Sequence, residues 1–131
     1  MTSRLIIASL ILWAGAASAA LPPRVLKKMR DAAPIHLTMK IEAVRKPLGA
    51  SGTCRVTGPI AALYRNRGQR LRVGQRITVS LKCTRRGTLN PPSATHWIVM
   101  EELVPGRSLS AYLDAKLNVA AHGSGTTVTN D

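Results

Sequence analysis

Two cysteines and a run of arginines are the side chains with the most specific chemistry in this chain. Cys54 and Cys83 are the only cysteines among its 131 residues. Their separation is far too wide for the C-x-x-C spacing of a dithiol redox site. In a short exported chain an even cysteine count reads as a structural disulfide, and two cysteines allow one pairing. The bridge would close a loop of about 30 residues and contribute about 3–4 kcal/mol in the chain-entropy model.

The arginines cluster. Arg65, Arg67, Arg70, Arg72 and Arg76 fall within twelve residues, and Lys82, Arg85 and Arg86 follow. Guanidinium groups suit bidentate recognition of phosphate or carboxylate. In the R-L-R-V run, Leu71 and Val73 can turn inward while Arg70 and Arg72 face solvent. These eight cations are the expected anion-binding set. Arg24, Lys27, Lys28 and Arg30 add a second patch. With 19 Lys+Arg against 6 Asp+Glu, the formal net charge is +13. The excess points to an anionic partner: lipid phosphate, an acidic envelope polymer or an acidic protein. It also suits a solvated basic face. Nucleic acid is disfavoured, because single-strand readers stack bases on aromatics and residues 21–131 offer Trp97, Tyr64 and Tyr112 alone.

Catalytic and metal constellations do not emerge. His36, His96 and His122 are far apart in sequence, with no H-x-x-x-H spacing, so no metal site is expected. Glu101 and Glu102 are neighbours on an expected strand and face opposite sides, which rules out a carboxylate dyad. There is no G-x-S-x-G, P-loop or G-x-G-x-x-G motif. The reading is a non-catalytic binding module without a cofactor. Its alternative is an accessory envelope protein that contacts a partner through an apolar patch around Trp97 and a C-terminal helix.

An export signal precedes these residues. Arg4 gives a positive start, residues 5–14 are uncharged and mostly apolar, and small residues follow from Gly15 to Ala20. Ala17 and Ala19 form an A-x-A pattern, so residues 1–19 read as a signal peptide cut after Ala19 or Ala20. The apolar run is shorter than the roughly 20 residues of a bilayer span. No later stretch is long and apolar enough to span, and no cysteine follows the signal to carry a lipid. The expected location is periplasmic or secreted.

The elements that must position these residues follow from periodicity. Residues 20–34 hold a short helix at 24–33, with Val25, Leu26 and Met29 on one face and Pro34 ending it. Residues 35–121 read as the β domain. From Ile35 the period becomes two, with Leu37, Met39, Ile41 and Ala43 pointing one way. A second strand at 53–65 carries Cys54, Val56, Gly58 and Ile60 on one face, and Gly58-Pro59 marks a bend. A basic connection at 66–74 leads to a third strand at 75–83, with Ile77, Val79, Leu81 and Cys83 inward. Both cysteines therefore lie on apolar faces, an independent reason for them to meet. Residues 95–104 read as a fourth strand, 109–115 as a short helix capped by Ser108, and 118–121 as a fifth strand. Residues 122–131 read as a flexible tail. The fold class is mainly β: a small five-stranded OB-like barrel with an N-terminal helix and a short helix near the C-terminus.

Several runs carry a resemblance. They are C-R-V-T-G-P-I at 54–60, Leu63-Tyr64-Arg65, Val73-Gly74 and the closing Cys83, with L-P-P at 21–23 and A-Y-L at 111–113. Together they resemble a family of small uncharacterised secreted, periplasmic bacterial proteins with an OB-like core. The resemblance implies a fold and a compartment and supplies no activity. The broader C-x-V-x-G … Y-R … V-G … C pattern is similar, more distantly, to netrin-like and metalloproteinase-inhibitor domains, which are also OB-like. Those inhibitors depend on a cysteine at the mature N-terminus, where this chain has Ala20 or Leu21, so inhibition is not implied.

Overall fold

The computed structural model describes residues 21–130, so the signal segment at 1–19 lies outside the described residues. Helix α1 spans Pro23–Ala32, with proline in its first turn and Pro34 beyond its end. Proline suits the first turn because its missing N–H would be unpaired there anyway. The helix buries little. Val25 and Leu26 are half-buried, but Met29, expected on the same face, is exposed. Arg30 turns inward instead and donates to the Ser124 hydroxyl.

Strand β1 (Ile35–Lys40) alternates as its sequence predicts, with Ile35, Leu37 and Met39 buried. The alternation breaks at Ile41–Glu42. There the Ile41 amide donates to Arg107 O and the Glu42 amide to Thr57 O. Strand β2 (Ala43–Arg45) restarts with Val44 half-buried and Ala43 exposed, which corrects the inward placement of Ala43.

Strand β3 (Ser51–Asn66) is the spine of the molecule. Its first half pairs with β4 (Arg76–Thr84) from Ser51↔Thr84 to Pro59↔Arg76. Its second half pairs with β1 from Ile60↔Met39 to Asn66↔Ile35. The handover falls at the expected Gly58-Pro59 bend. A Cβ on Gly58 would lie 1.7 Å from the Lys40 carbonyl oxygen, so the crossing backbone leaves room for hydrogen alone. Opposite β1, Ala61 and Tyr64 are extra residues in the ladder. Such bulges strengthen the local twist and bend the strand.

The C-terminal third departs most from expectation. The strand expected over 95–104 shrinks to β5 (Ile98–Val99), parallel to β4, followed by a 3₁₀ turn at Met100–Glu102. A continuous apolar run carries no period to fix its conformation, and Met100 and Leu103 are both buried. The helix expected over 109–115 is strand β6 (Ser108–Leu113), paired with β1 from Lys40↔Ser108 to Ile35↔Leu113. Leu109, Ala111 and Leu113 point inward at period two. Helical spacing of Leu109, Tyr112 and Leu113 misled because the same residues fit both periods over so short a run.

The fifth strand expected at 118–121 reduces to single bridges, Asn118 parallel to Ser80 and Val119 antiparallel to Leu113. The segment expected to be a flexible tail contains β7 (Thr127–Thr129), which pairs with β6. The result is mainly β with one α-helix: a seven-stranded sheet ordered β5-β4-β3-β1-β6-β7, with β2 against β3, curled into a half-barrel. This replaces the five-stranded closed barrel of the sequence reading. Its concave side encloses one core built on Ile35, Met39, Val56, Ile60, Val79 and Leu109.

Candidate functional site

The disulfide forms as expected. Cys54 and Cys83 are bonded, 5.8 Å apart at Cα, and both are fully buried. Cys54 lies opposite Leu81 and Cys83 opposite Gly52, so the bridge runs diagonally across the inward face of the β3–β4 ladder. It ties together the two strands that carry Arg55, Arg65, Arg76 and Lys82.

The eight expected cations have different fates. Arg65 is half-buried and its Nη1 donates to the carbonyls of Arg30 (2.8 Å), Ala33 (3.0 Å) and Asp31 (3.3 Å). Arg67 Nη1 donates to the Asp31 carbonyl at 3.1 Å. The last carbonyls of a helix have no partner within it, and a cation there also meets the negative end of the helix dipole. Arg65 and Arg67 are therefore committed to capping α1. Arg76 is tied to Glu42. Lys82 reaches the Thr53 hydroxyl at 3.4 Å. The Arg86 amide donates to the Glu101 carboxylate at 3.0 and 3.2 Å. Hydrogen bonds from the Glu101 amide first, and then from Arg86, hold that carboxyl below its ordinary range. The side chains of Arg70, Arg72 and Arg85 are exposed and make no hydrogen bond or ion pair among the described residues.

A different basic cluster lies on the outer face of β2, β3 and β4. Arg45 and Arg55 face each other directly in the β2–β3 ladder, and Arg55 in turn faces Ser80 on β4. Lys82 is two residues beyond Ser80, diagonal to Arg55. All three cations are exposed. Thr57 and Thr78 share a hydroxyl hydrogen bond of 2.9 Å on the same face. The three strands contain no aspartate or glutamate. Like charges directly opposite in a ladder are destabilising, and nothing on these strands offsets them. Sequence reading missed Arg45 because it continued the preceding strand through Ala43. Arg55 carried a usable signal, since it sits at outward parity between Cys54 and Val56.

The outer face of β1, β3 and β6 gathers aromatics. The His36 ring stacks on Tyr112 at 3.9 Å between centroids and meets Tyr64 at 4.8 Å. The Tyr64 and Thr38 hydroxyls are 3.1 Å apart, and Thr38 is 2.6 Å from Ser110. Arg65 lies 6.0 Å over Tyr112. Burial first, and then the Arg65 charge, push the His36 pKa below its ordinary value. Two of the three aromatics in residues 21–130 thus share one patch, although they are 48 residues apart in sequence.

Two histidines read as remote from each other also converge. The His96 amide donates to His122 O at 2.7 Å. Both line a cleft of about 210 Å³ with Leu81, Ile98, Val119 and Thr126. The cleft lies where β4 passes from its bridge with Asn118 to its ladder with β5. The Thr126 hydroxyl is buried without a partner, and Leu117, Ala121 and His122 hold left-handed backbone with φ of 63°, 53° and 55°. Among the described residues no group of three metal-ligating side chains forms.

No helix among the described residues is long and apolar enough to cross a membrane. Compared with known proteins, the chain matches no family model, no curated protein and no solved structure.

Proposed function

We propose that this chain is an exported, non-catalytic binding module of the cell envelope that engages anionic groups through the outer face of β2, β3 and β4. The observation that carries this reading is the register of Arg45 against Arg55, with Lys82 diagonal to them, on strands that hold no carboxylate. The hydroxyls of Thr53 and Ser80 lie directly opposite Lys82 and Arg55, and the Thr57–Thr78 pair forms the next row of the same face. A face of guanidinium, ammonium and hydroxyl groups suits phosphate, sulfate or uronate ligands. Neighbouring strands are about 4.8 Å apart, so an extended polyanion crossing them meets successive donors. Arg70, Arg72, Arg85 and Arg86 flank this face and raise the attraction at longer range.

An OB-like reading of the fold supports the choice of face. If β1 and β2 count as one interrupted strand, they form a meander with β3 and β4. Strand β6 then pairs with the first strand, and the bridges at Asn118 and Val119 join the chain to β4 in parallel and to β6 antiparallel. OB-folds bind their ligands on the second and third strands, which correspond here to β3 and β4. The leader-like residues 1–19 and the buried disulfide support export into an oxidising compartment, in keeping with the small secreted proteins that the chain resembles.

The test is chromatography on a heparin-like resin under a salt gradient. Replacing Arg45, Arg55 and Lys82 together by Gln should lower the eluting salt well below that of the parent. An equal triple replacement at Arg65, Arg67 and Arg76 should change it less. Unchanged retention of the first variant overturns the reading.

A further inference from the structure

The loops at 46–50 and 85–92 form a tip at one end of the β3–β4 hairpin, and the two carry the most exposed apolar side chains in the described residues. Leu48 is 103% exposed and Leu89 97%. A leucine in water at full exposure contributes nothing to the fold, and two of them on adjoining loops differ from the scattered surface leucines that need no explanation. The loops are held together. The Arg85 amide donates to Ala50 O at 2.7 Å, and the Ser51 hydroxyl donates to Asn90 Oδ1 at 2.6 Å and lies 2.8 Å from the Thr84 hydroxyl. The disulfide sits just beneath, through Cys83 beside Thr84 and Cys54 three residues past Ser51. The tip is therefore stapled at its base.

Cations surround the leucines. Lys46 is two residues from Leu48, and Arg85 and Arg86 precede Leu89 in its loop; all three are exposed. The carboxylate near them, Glu101, is already hydrogen-bonded to the Arg86 amide and lies within the field of Lys46 and Arg86. Fully exposed leucines in the same loops as exposed Lys and Arg suit the layering of an anionic bilayer, where hydrocarbon lies beneath a plane of phosphate. Long basic side chains can keep their charge at that plane while their stems follow the leucines inward.

We infer that Leu48 and Leu89 enter the headgroup boundary of an anionic phospholipid membrane while Lys46, Arg85 and Arg86 hold its phosphates, so that the tip docks the protein on a bilayer without spanning it. This inference goes beyond the polyanion face: it rests on Leu48, Leu89 and Lys46, which that face does not use, and shares with it only the flanking Arg85 and Arg86.

Flotation with vesicles tests it. The full protein should bind vesicles containing about one-third phosphatidylglycerol and remain free of pure phosphatidylcholine vesicles. Replacing Leu48 and Leu89 together by Asn should weaken vesicle binding at least tenfold and leave elution from the heparin-like resin unchanged, since neither side chain is packed. The reciprocal Arg45, Arg55 and Lys82 variant should lose resin retention and keep leucine-dependent vesicle binding, which separates failure of the two readings. Vesicle binding indifferent to the leucine replacement overturns the inference. So does a dimer in the absence of vesicles that the leucine replacement dissolves, since the tip would then belong to a second copy of the chain.

Discussion

Arg55 and Arg65 stand ten residues apart on the same strand and live in opposite circumstances. Arg65 lies at the end of β3 that meets α1, where three helix-terminal carbonyls accept from its guanidinium. Arg55 lies at the end that meets β2 and β4, where it faces Arg45 on one side and Ser80 on the other and its side chain makes no hydrogen bond or ion pair among the described residues. Sequence reading gave priority to the dense run around Arg65. The structure ties Arg65, Arg67 and Arg76 to other groups of the protein and leaves Arg70, Arg72 and Arg85, together with Arg45 and Arg55, without a partner among the described residues. A cluster of arginines in sequence measures local charge. Whether that charge can meet a ligand depends on which backbone oxygens the fold brings to it.

The strongest way to break this comparison is to release the ladder that holds Arg55 in place. Replacing Cys54 and Cys83 by Ala should cost about 3–4 kcal/mol of stability for a loop of 29 residues' separation. Urea unfolding of the parent and the variant measures it. A loss below 1 kcal/mol would mean that the hydrogen-bonded ladder alone sets the register.

The two arginines themselves give the next effect. Replacing Arg65 by Met should cost about 1–2 kcal/mol, because partly buried helix carbonyls lose their donor. Thermal melting should show the loss, and helix content by circular dichroism should fall with it. Replacing Arg55 by Gln should move stability by no more than about 0.5 kcal/mol, as for an exposed residue without partners. Equal losses for both would erase the distinction drawn between them.

The smallest effect belongs to His36 beside Arg65. Its folded pKa lies below its ordinary 6.5. Between those two values the unfolded chain binds more protons than the folded one. Stability is then at its full value above pH 6.5 and falls as acidification proceeds toward the folded pKa. Melting temperatures between pH 8 and 5 should decline by a few degrees at most. The His36→Gln variant should lack that part of the slope.

Much of the sheet was legible because burial and period coincide. Strands β1 and β4 follow the alternation of Ile35, Leu37 and Met39 and of Ile77, Val79 and Leu81. The Gly58-Pro59 bend and the inward cysteines were readable for the same reason. The C-terminal third was not. Residues 97–100 are apolar without interruption, and Leu109, Tyr112 and Leu113 satisfy two periods at once, so only pairing with β1 decides for β6. The candidate sites divide in the same way. Parity pointed to Arg55 and Lys82 as outward. The convergence of His96 with His122 and of Tyr64 with Tyr112 depends on long-range pairings that leave no local trace in the sequence.

The order of pairing along the chain also bears on how the molecule assembles. Strand β1 is central, yet its second neighbour is β6, and the polypeptide must run from Lys40 to Ser108 before that edge is covered. The hairpin of β3 and β4 is local and closes early, because short loops cost little entropy to join. Sulfur oxidation can therefore occur in a nascent half-sheet whose β1 edge is still bare. A chain stopped before Ser108 would leave an oxidised, sticky intermediate, and the quality of the finished protein depends on how quickly its last fifth arrives.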